Sequence, residues 1–361
     1  MRDSSLNNPE YKLLQIKNWT IYHTFSKPRT LVIELSTVCN RSCTYCFRKG
    51  IKKFEEKYLE ESIIRKILET ENKYDKIVLT GYGEPSLHPE FDSIVLKLSD
   101  ISHRLLINTN GSLLQDHISV LSKLMRKVEI FLSVHDISYT ISLVEDLVSK
   151  LGRSIITCIR CIVTVSQENL DKCIVAIEEL IKLGIPKIYV SCIVPVNYNM
   201  CQCSCIDSTI CENTIKQLAL RSVFGSFIRN SFVYVPRFRS STGFFICPFV
   251  ENDSVFVRAD ASVCPCMFYA YELRTYIHCI ERVNIPLVFG NLYEKTIEEV
   301  WNLPEYSRFR FLATTRQFPN CLECELEQYC SFTMNNLQDC WGNSPTCSYC
   351  PFARGLVYCP T

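Results

Sequence analysis

Six apolar runs that alternate with amphipathic helical stretches constrain the fold of this chain more than any other feature of its sequence. The strands predicted from these runs cover residues 31–35, 76–80, 104–108, 128–134, 155–165 and 187–195. They are apolar on both faces, which is typical of parallel strands with helices packed on them. The pattern therefore predicts an α/β fold in which residues 31–234 form a partial (β/α)6 TIM-like barrel.

Three cysteines follow the first predicted strand. Cys39, Cys43 and Cys46 have the spacing C-x3-C-x2-C. Three thiolates are one too few to close a tetrahedral metal site or to fill the four corners of a cubane iron–sulfur cluster. An open corner is what a metal centre needs if it is to bind and transform a ligand. We interpret the loop as the cradle of a [4Fe–4S] cluster with one open iron; the alternatives are a zinc knuckle that lacks a ligand and three thiols that are close in sequence by chance.

Polar motifs collect at the ends of the next strands, where a barrel of this kind places its reactive groups. The second strand ends in Gly81-Tyr82-Gly83-Glu84-Pro85, and the third and fourth end in motifs that contain Asn108 and Ser133. Glycines after a strand allow the backbone to approach a ligand closely. These motifs predict a ligand pocket beside the three cysteines.

Arg160 lies inside the fifth predicted strand, among apolar residues. A buried charge is costly unless it is paired, so a carboxylate partner is expected. Arg160 is either a ligand-binding residue or half of a structural salt bridge, with Glu34 or Glu84 as the partner.

Composition excludes several classes of protein. The 361 residues carry a formal net charge of +1, which does not fit a nucleic-acid-binding protein. No apolar run is long enough to span a membrane, and the polar start MRDSSLNNPEYKLL lacks the core of a signal peptide. These features predict a cytoplasmic protein. In a reducing compartment, 22 cysteines indicate metal sites or clusters and not disulfides.

Cysteines become dense after residue 235, which we take as the start of a second domain covering 235–361; residues 1–30 form an N-terminal extension. The candidate metal ligands of this domain are Cys247, Cys266, Cys321, Cys324, Cys330, Cys340, Cys347, Cys350 and Cys359. Two C-x2-C pairs among them have the spacing of a zinc ribbon, but one zinc ion would leave five of these cysteines unused. Eight ligands for two cubane clusters are available. Four further cysteines have no predicted role: Cys201, Cys203, Cys205 and Cys211.

Together these motifs resemble the radical S-adenosylmethionine (SAM) superfamily. C-x3-C-x2-C with Tyr45 before the last cysteine resembles its signature, and GYGEP resembles its Gly-Gly-Glu-Pro turn. The segments CPFVENDSVFVRADASVCPC and CLECELEQYC resemble a SPASM domain. A finer resemblance, based on GYGEPSLHPEF and the tail DCWGNSPTCSYCPFARGLVYCP, is to the SPASM maturases associated with tungsten-cofactor oxidoreductases.

The resemblance implies cofactors and residue roles. Cys39, Cys43 and Cys46 would bind a [4Fe–4S] cluster whose fourth iron binds SAM, and the C-terminal domain would carry one or two auxiliary [4Fe–4S] clusters. Reductive cleavage of SAM would give a 5′-deoxyadenosyl radical. The implied SAM contacts are Tyr45, Gly81, Gly83, Glu84, Asn108, Ser133 and Arg160.

The implied partners are a peptide or protein substrate and a reduced electron donor of the ferredoxin or flavodoxin type. The expected activity is that of a maturase, with a tungsten-cofactor oxidoreductase as one candidate target. Thioether or carbon–carbon cross-linking of a peptide, and formylglycine formation, are alternatives within the same class. A non-catalytic iron–sulfur electron carrier or a zinc-stabilised scaffold is the alternative from another class.

Overall fold

The computed structural model describes residues 11–16, 19–24, 26–69, 73–206, 208–217, 231–236, 247–359 and 361. All six predicted strands are present, but the fifth begins at Ile159, because residues 155–158 belong to a 3-10 helix, and the sixth ends at Cys192 and not at residue 195. They form β3 (Thr30–Ile33), β4 (Tyr74–Leu79), β5 (Ser102–Thr109), β6 (Val128–Val134), β7 (Ile159–Val165) and β8 (Lys187–Cys192), each parallel to its neighbour. In the N-terminal extension, β1 (Tyr11–Ile16) and β2 (Trp19–Thr24) form an antiparallel hairpin.

Helices connect the parallel strands. They are α1 (Glu61–Leu68), α2 (Phe91–Asp100), α3 (Ile118–Leu124), α4 (Ile137–Leu151) and α5 (Leu170–Leu183), followed after β8 by α6 (Tyr198–Cys201) and α7 (209–217). In α1, the buried Ile63, Ile64 and Ile67 lie on one face, as the predicted periodicity requires. Among the helices of the described residues, none is both long and apolar enough to cross a membrane.

The C-terminal region extends the same sheet. After β9 (Phe232–Tyr234), which ends just before the predicted boundary, its elements are α8 (Pro248–Glu251), β10 (Ser254–Val257), β11 (Ser262–Cys264), β12 (Leu273–Ile277), β13 (Ile280–Asn284), β14 (Gly290–Asn291), α9 (Ile297–Trp301) and α10 (Pro304–Thr314). The strand order is β14-β11-β10-β3-β4-β5-β6-β7-β8-β9, an open row and not a closed barrel. Because β10 pairs in parallel with β3, the sheet crosses the predicted domain boundary near residue 235.

The two faces of the parallel strands have different partners. Side chains such as Ile77 and Ile130 pack in the core that includes the connecting helices. The alternate side chains, including Val78 and Phe131, pack against Phe249 and other residues of the C-terminal region. The inner face of the six strands is therefore covered by the cysteine-rich part of the chain.

Disulfides account for two pairs of cysteines, which the expectation of a reducing compartment did not anticipate. Cys201 pairs with Cys279, in the turn between β12 and β13, and Cys205 pairs with Cys211. The remaining cysteine of this segment, Cys203, contacts Glu168 through its thiol at 2.8 Å. Three of the four cysteines without a predicted role are thus in disulfides.

Candidate active site

A cavity of about 240 Å³ lies at the carboxyl edge of the parallel strands. The thiols of Cys39, Cys43 and Cys46 form part of its wall, as predicted. Burial raises the pKa of Cys43, and the neighbouring thiols of Cys46 and Cys39 raise it further. The three thiols are therefore close enough for their charges to interact, as ligands of one cluster must be.

The turn after β4 packs directly on the cysteine loop. The Glu84 N–H donates to the Val38 carbonyl oxygen at 2.8 Å. A Cβ atom at Gly83 would lie 2.2 Å from the Ser36 carbonyl oxygen, and one at Gly81 would lie 2.5 Å from Cγ of Glu34. Both positions need glycine because any side chain would separate the turn from the end of β3. Gly81, Gly83 and Glu84 all line the cavity, as predicted.

Glu84 connects the ends of β4 and β5. Its carboxylate is buried and accepts hydrogen bonds from the N–H and hydroxyl groups of Ser86, at 3.2 and 2.7 Å. It also accepts from the Thr109 hydroxyl at 2.7 Å and the Asn110 N–H at 2.8 Å. Four donors leave this carboxylate little capacity for a ligand, so its role here is to hold the cavity wall.

Asparagines at the end of β5 reach the cavity. Asn108 Nδ2 donates to the Thr80 hydroxyl at 3.0 Å, while Asn108 Oδ1 is buried and accepts no hydrogen bond from any of the described residues. Asn110 Nδ2 donates to Oδ1 of Asn40 at 3.0 Å and so connects this strand end to the cysteine loop. Asn108 therefore offers an unused acceptor to a bound ligand.

Tyr45 and His135 meet beside the cysteines. The Tyr45 hydroxyl and Nδ1 of His135 are 2.7 Å apart, and Cys43 Sγ lies 3.7 Å from the same nitrogen. Burial, reinforced by the charge of Arg41, lowers the pKa of His135 to about 4, so the imidazole is neutral near pH 7. Ser133, two residues before His135 on β6, also lines the cavity. The predicted contacts Tyr45 and Ser133 are thus at the site, together with His135.

Arg160 is not at the site, which corrects its prediction as a SAM contact. It is the second residue of β7 and lies at the amino edge of the sheet, at the opposite end of the strand from the cavity. Its Nε lies 3.6 Å from a carboxylate oxygen of Glu129, and one guanidinium nitrogen donates to the Thr157 carbonyl oxygen at 2.7 Å. Arg160 is therefore half of a structural salt bridge, the second of its two predicted roles. Its partner is Glu129 and not Glu34 or Glu84, the partners predicted from the sequence.

Several residues of the cavity wall were not predicted. Thr164 and Ser191 occupy the carboxyl ends of β7 and β8. The C-terminal tail contributes Phe352 and Tyr358, and the Tyr358 N–H donates to the Ser191 hydroxyl at 3.1 Å. Arg160 and Thr164 lie on the same face of β7, because side chains alternate along a strand, and this alternation could have indicated Thr164. The sequence of the C-terminal tail contains no comparable signal, because its contacts depend on the fold.

The nine candidate ligands of the C-terminal region separate into two groups. Five of them, the inner cysteine group, line two adjoining apolar cavities: Cys247, Cys266, Cys347, Cys350 and Cys359. Burial raises the pKa of Cys266, and the neighbouring Cys350 and Cys247 raise it further.

The other four are the outer cysteine group: Cys321, Cys324, Cys330 and Cys340. Burial raises the pKa of Cys321 to about 11, and Cys340 and Cys330 act in the same direction. Cys324 and Cys340 are exposed. In the part of the chain that the structure describes, no three His, Cys, Asp or Glu side chains are arranged to hold a single metal ion. The inner group has five thiols and the outer group four, so each has enough thiolates for the four irons of one cubane cluster.

The residues present fit a [4Fe–4S] cluster with bound SAM. Three thiols share one wall of the cavity, the buried Asn108 Oδ1 lacks a partner among the described residues, and the turn at Gly83 approaches the cysteine loop without side chains. A family model described as the radical SAM superfamily matches residues 33–201, and the SPASM model, an iron–sulfur cluster-binding domain, matches 247–325. The chain therefore contains a radical SAM domain and a SPASM domain. Its cofactors are a [4Fe–4S] cluster and SAM, with auxiliary iron–sulfur clusters in the SPASM domain.

One curated relative of this radical SAM protein matches almost the whole chain. It is the "tungsten-containing aldehyde ferredoxin oxidoreductase cofactor-modifying protein" of Pyrococcus furiosus, which is 27% identical over 91% of this chain and 96% of its own length. This similarity confirms the finer resemblance to the tungsten-associated maturases and supports an enzymatic function.

Solved structures share the fold. anSMEcpe with bound AdoMet and Cp18Cys peptide is 16% identical, with a TM-score of 0.55 over 85% of this chain and 88% of that one. Streptococcus suis SuiB bound to the precursor peptide SuiA is also 16% identical, with a TM-score of 0.55 over 84% of this chain and 71% of that one. At this identity the likeness concerns the arrangement of the chain and not its substrate.

Proposed function

We propose that this protein is a maturase that cleaves SAM reductively and uses the radical to modify a peptide or protein. The observation that carries the proposal is the cavity in which Cys39, Cys43 and Cys46 face the polar ends of β4, β5 and β6. When bound, the reduced cluster would supply the electron for cleavage of the sulfonium C–S bond of SAM, and SAM would supply the 5′-deoxyadenosyl group that takes a hydrogen atom from the substrate.

The chain's own residues would bind SAM and exclude water. Gly81 and Gly83 would offer backbone groups to the methionyl part, and Glu84 would hold that turn in place. Asn108 Oδ1 would accept a hydrogen bond from the ligand, because it is a buried acceptor to which no described residue donates. Ser133 would contact the carboxylate, and Tyr45 would border the adenine.

The substrate in this proposal is a polypeptide, with a tungsten-cofactor oxidoreductase or its maturation partner as the candidate target. Support comes from the name of the Pyrococcus furiosus relative and from the peptides bound in the two structural neighbours. Peptide cross-linking and formylglycine formation remain alternatives of the same class. The electron donor would be a reduced protein of the ferredoxin or flavodoxin type, and the compartment the cytoplasm.

The test is reductive SAM cleavage by the anaerobically reconstituted protein. Wild type should form 5′-deoxyadenosine with dithionite and SAM, and Cys39→Ala/Cys43→Ala/Cys46→Ala should lose at least about 10³-fold of this activity. Iron should fall from about twelve to about eight per chain, because two auxiliary clusters persist.

Cys158→Ala is the matched control, because Cys158 is a buried thiol that bonds the Met125 carbonyl oxygen away from the cavity. It should keep the full activity and iron content. If wild type forms no 5′-deoxyadenosine, or if the triple variant forms as much as wild type, the proposal fails and the electron-carrier alternative gains.

A further inference from the structure

The amino edge of the parallel sheet, opposite the SAM cavity, carries a group of cations that no step of the proposed function uses. We call Lys76, Arg104, Arg160 and Lys187 the basic edge. Lys76 is the register partner of Arg104, and Arg160 is the register partner of Lys187. Side chains of register partners point to the same face of a parallel sheet. The four cations therefore share the amino edge of the inner face.

Their charge is largely uncompensated. Among the described residues, one carboxylate pairs with the basic edge: Glu129 lies 3.4 Å from Arg104 and 3.6 Å from Arg160. The whole chain has a net charge of only +1, so four cations around one carboxylate are a local feature and not a consequence of composition. Such a concentration attracts an anionic partner.

The inner cysteine group reaches the basic edge through Cys359. Cys359 packs against the inner-face core that contains Val78, and Val78 lies two residues after Lys76 on β4. Residues two apart in a strand point to the same face of the sheet. Cys359 is therefore on the face that carries the basic edge.

Aromatic rings connect the same thiol to the surface. The Tyr358 ring lies 4.4 Å from that of Tyr189, which in turn stacks on Tyr234 at 4.7 Å. Tyr234 is 45% exposed, and Phe232, the register partner of Lys187, is 58% exposed. Two exposed rings thus border the cations, which is the mixture of apolar and charged groups found at protein interfaces.

We propose that the basic edge, together with Phe232 and Tyr234, is the docking surface for an acidic one-electron carrier protein that reduces the cluster of the inner cysteine group. One electron leaves the iron–sulfur or flavin centre of the carrier and enters the inner cluster beside Tyr358 and Cys359, and no bond is formed or broken. The proposal rests on the proposed function, because it needs an inner cluster to receive the electron.

The surface near the outer cysteine group is a less suitable place for an acidic carrier. It also exposes large apolar side chains, among them Tyr329, Phe332 and Trp341. Between residues 317 and 353, however, the sequence contains no lysine or arginine. This segment therefore offers an anionic carrier no lysine or arginine of its own.

The test compares two double variants that each remove one lysine and one arginine charge. Arg104→Gln/Lys187→Gln changes the basic edge, and Arg65→Gln/Lys172→Gln changes exposed positions on α1 and α5. A reduced, acidic [4Fe–4S] ferredoxin is the probe, with its Kd measured by titration and its electron transfer by anaerobic stopped flow. At about 50 mM salt, the basic-edge variant should bind ferredoxin about tenfold more weakly and accept electrons from it about tenfold more slowly than wild type. At about 1 M salt, both differences should be less than about twofold, because salt screens the charges. The control variant should stay within about twofold of wild type at both salt concentrations.

A second reductant separates this proposal from the proposed function. Photoreduced deazaflavin, a small uncharged donor, should support equal SAM cleavage in wild type and both variants. Loss of cleavage in wild type with this reductant would contradict the proposed function, whereas equal ferredoxin binding by both double variants would overturn only the docking site.

Two further results would also overturn the docking site. In the first, Tyr329→Ser/Trp341→Ser binds ferredoxin more weakly than wild type and the basic-edge variant binds it as tightly as wild type. This result would place the carrier at the outer group. The other is displacement of the ferredoxin by single-stranded DNA at equal concentration, which would show a general anion site.

Discussion

The carboxyl and amino edges of the parallel sheet are formed by the same six strands but carry different polar groups. At the carboxyl edge, Glu84 is buried and accepts four hydrogen bonds from neighbouring strand ends. At the amino edge, Glu129 is partly exposed and forms two longer ion pairs with Arg104 and Arg160. One edge is organised by short hydrogen bonds around a cavity, and the other presents charge to a surface.

This difference assigns different kinds of partner to the two edges. Buried hydrogen bonds hold atoms in fixed positions, which a small cofactor requires. Exposed charges act over a longer range and tolerate imprecise positions, which suits the encounter with another protein. The C-terminal tail connects both edges, because Tyr358 lines the cavity and Cys359 packs against the core on the inner face, which also carries the basic edge.

The largest predicted difference is between two carboxylates on these edges. Glu84→Ala should lower SAM cleavage with dithionite by at least about 100-fold, because four donors lose their buried acceptor. Glu129→Ala should leave cleavage within about twofold and lower the free energy of unfolding by about 1 kcal/mol. 5′-Deoxyadenosine formation and thermal unfolding are the measurements. Similar cleavage by both variants would show that the two edges do not differ in this way.

Two glycines give the next comparison. Gly83→Ala should raise KM for SAM by about 30-fold, because the new Cβ would lie 2.2 Å from a backbone oxygen that cannot rotate away. Gly184 ends α5 just before β8, with φ +83° and no atom within 4 Å of an added Cβ. Gly184→Ala should cost about 1 kcal/mol of stability and leave KM unchanged. A normal KM in Gly83→Ala would contradict the close packing of the turn on the cysteine loop.

A smaller effect should distinguish Asn108 from Arg160. Asn108→Leu keeps the approximate volume but removes the buried acceptor that no described residue uses, and should raise KM for SAM by about tenfold. Arg160→Met should change KM by less than about twofold when dithionite is the reductant, since Arg160 lies at the other edge. Equal increases of KM for SAM in both variants would show that Arg160 contributes to SAM binding.

The strands could be predicted from the sequence because each is a long apolar run, but the position of their ends could not. The apolar run before β7 predicts a strand that begins at residue 155, whereas Arg153–Cys158 forms a 3-10 helix. Arg160 therefore begins the strand and Thr164 occupies its carboxyl end.

The cysteine loop and the glycine turn were also predictable, since their function depends on local spacing. The division of the nine cysteines, the pairing of β10 with β3 and the contact of Tyr358 with the cavity join residues far apart in the chain. Such contacts depend on tertiary packing and have no local signature.

The smallest predicted effect concerns Glu34, at the carboxyl edge. Its carboxylate accepts from the Tyr82 N–H at 2.8 Å and from the Tyr271 hydroxyl. Burial raises the pKa of Glu34 above its ordinary value, although these hydrogen bonds oppose the shift. The folded protein thus retains this proton to a higher pH than the unfolded chain does. The stability that this contributes is complete below the ordinary pKa of a glutamate and is lost as pH rises through the raised value.

Glu34→Gln removes this dependence because an amide does not ionise. Above about pH 4.5, the Tm of the variant should therefore rise relative to the Tm of wild type. The corresponding difference in unfolding free energy should change by no more than about 1.4 kcal/mol per pH unit. Scanning calorimetry of both holoproteins from acidic to neutral pH measures how the difference between their Tm values changes with pH. Any destabilisation by the amide that does not depend on pH is the same at every pH and does not affect this change. A difference in Tm that stays constant over this range would show that Glu34 titrates alike in the folded and unfolded protein, and that its burial at the carboxyl edge has no effect on its ionisation.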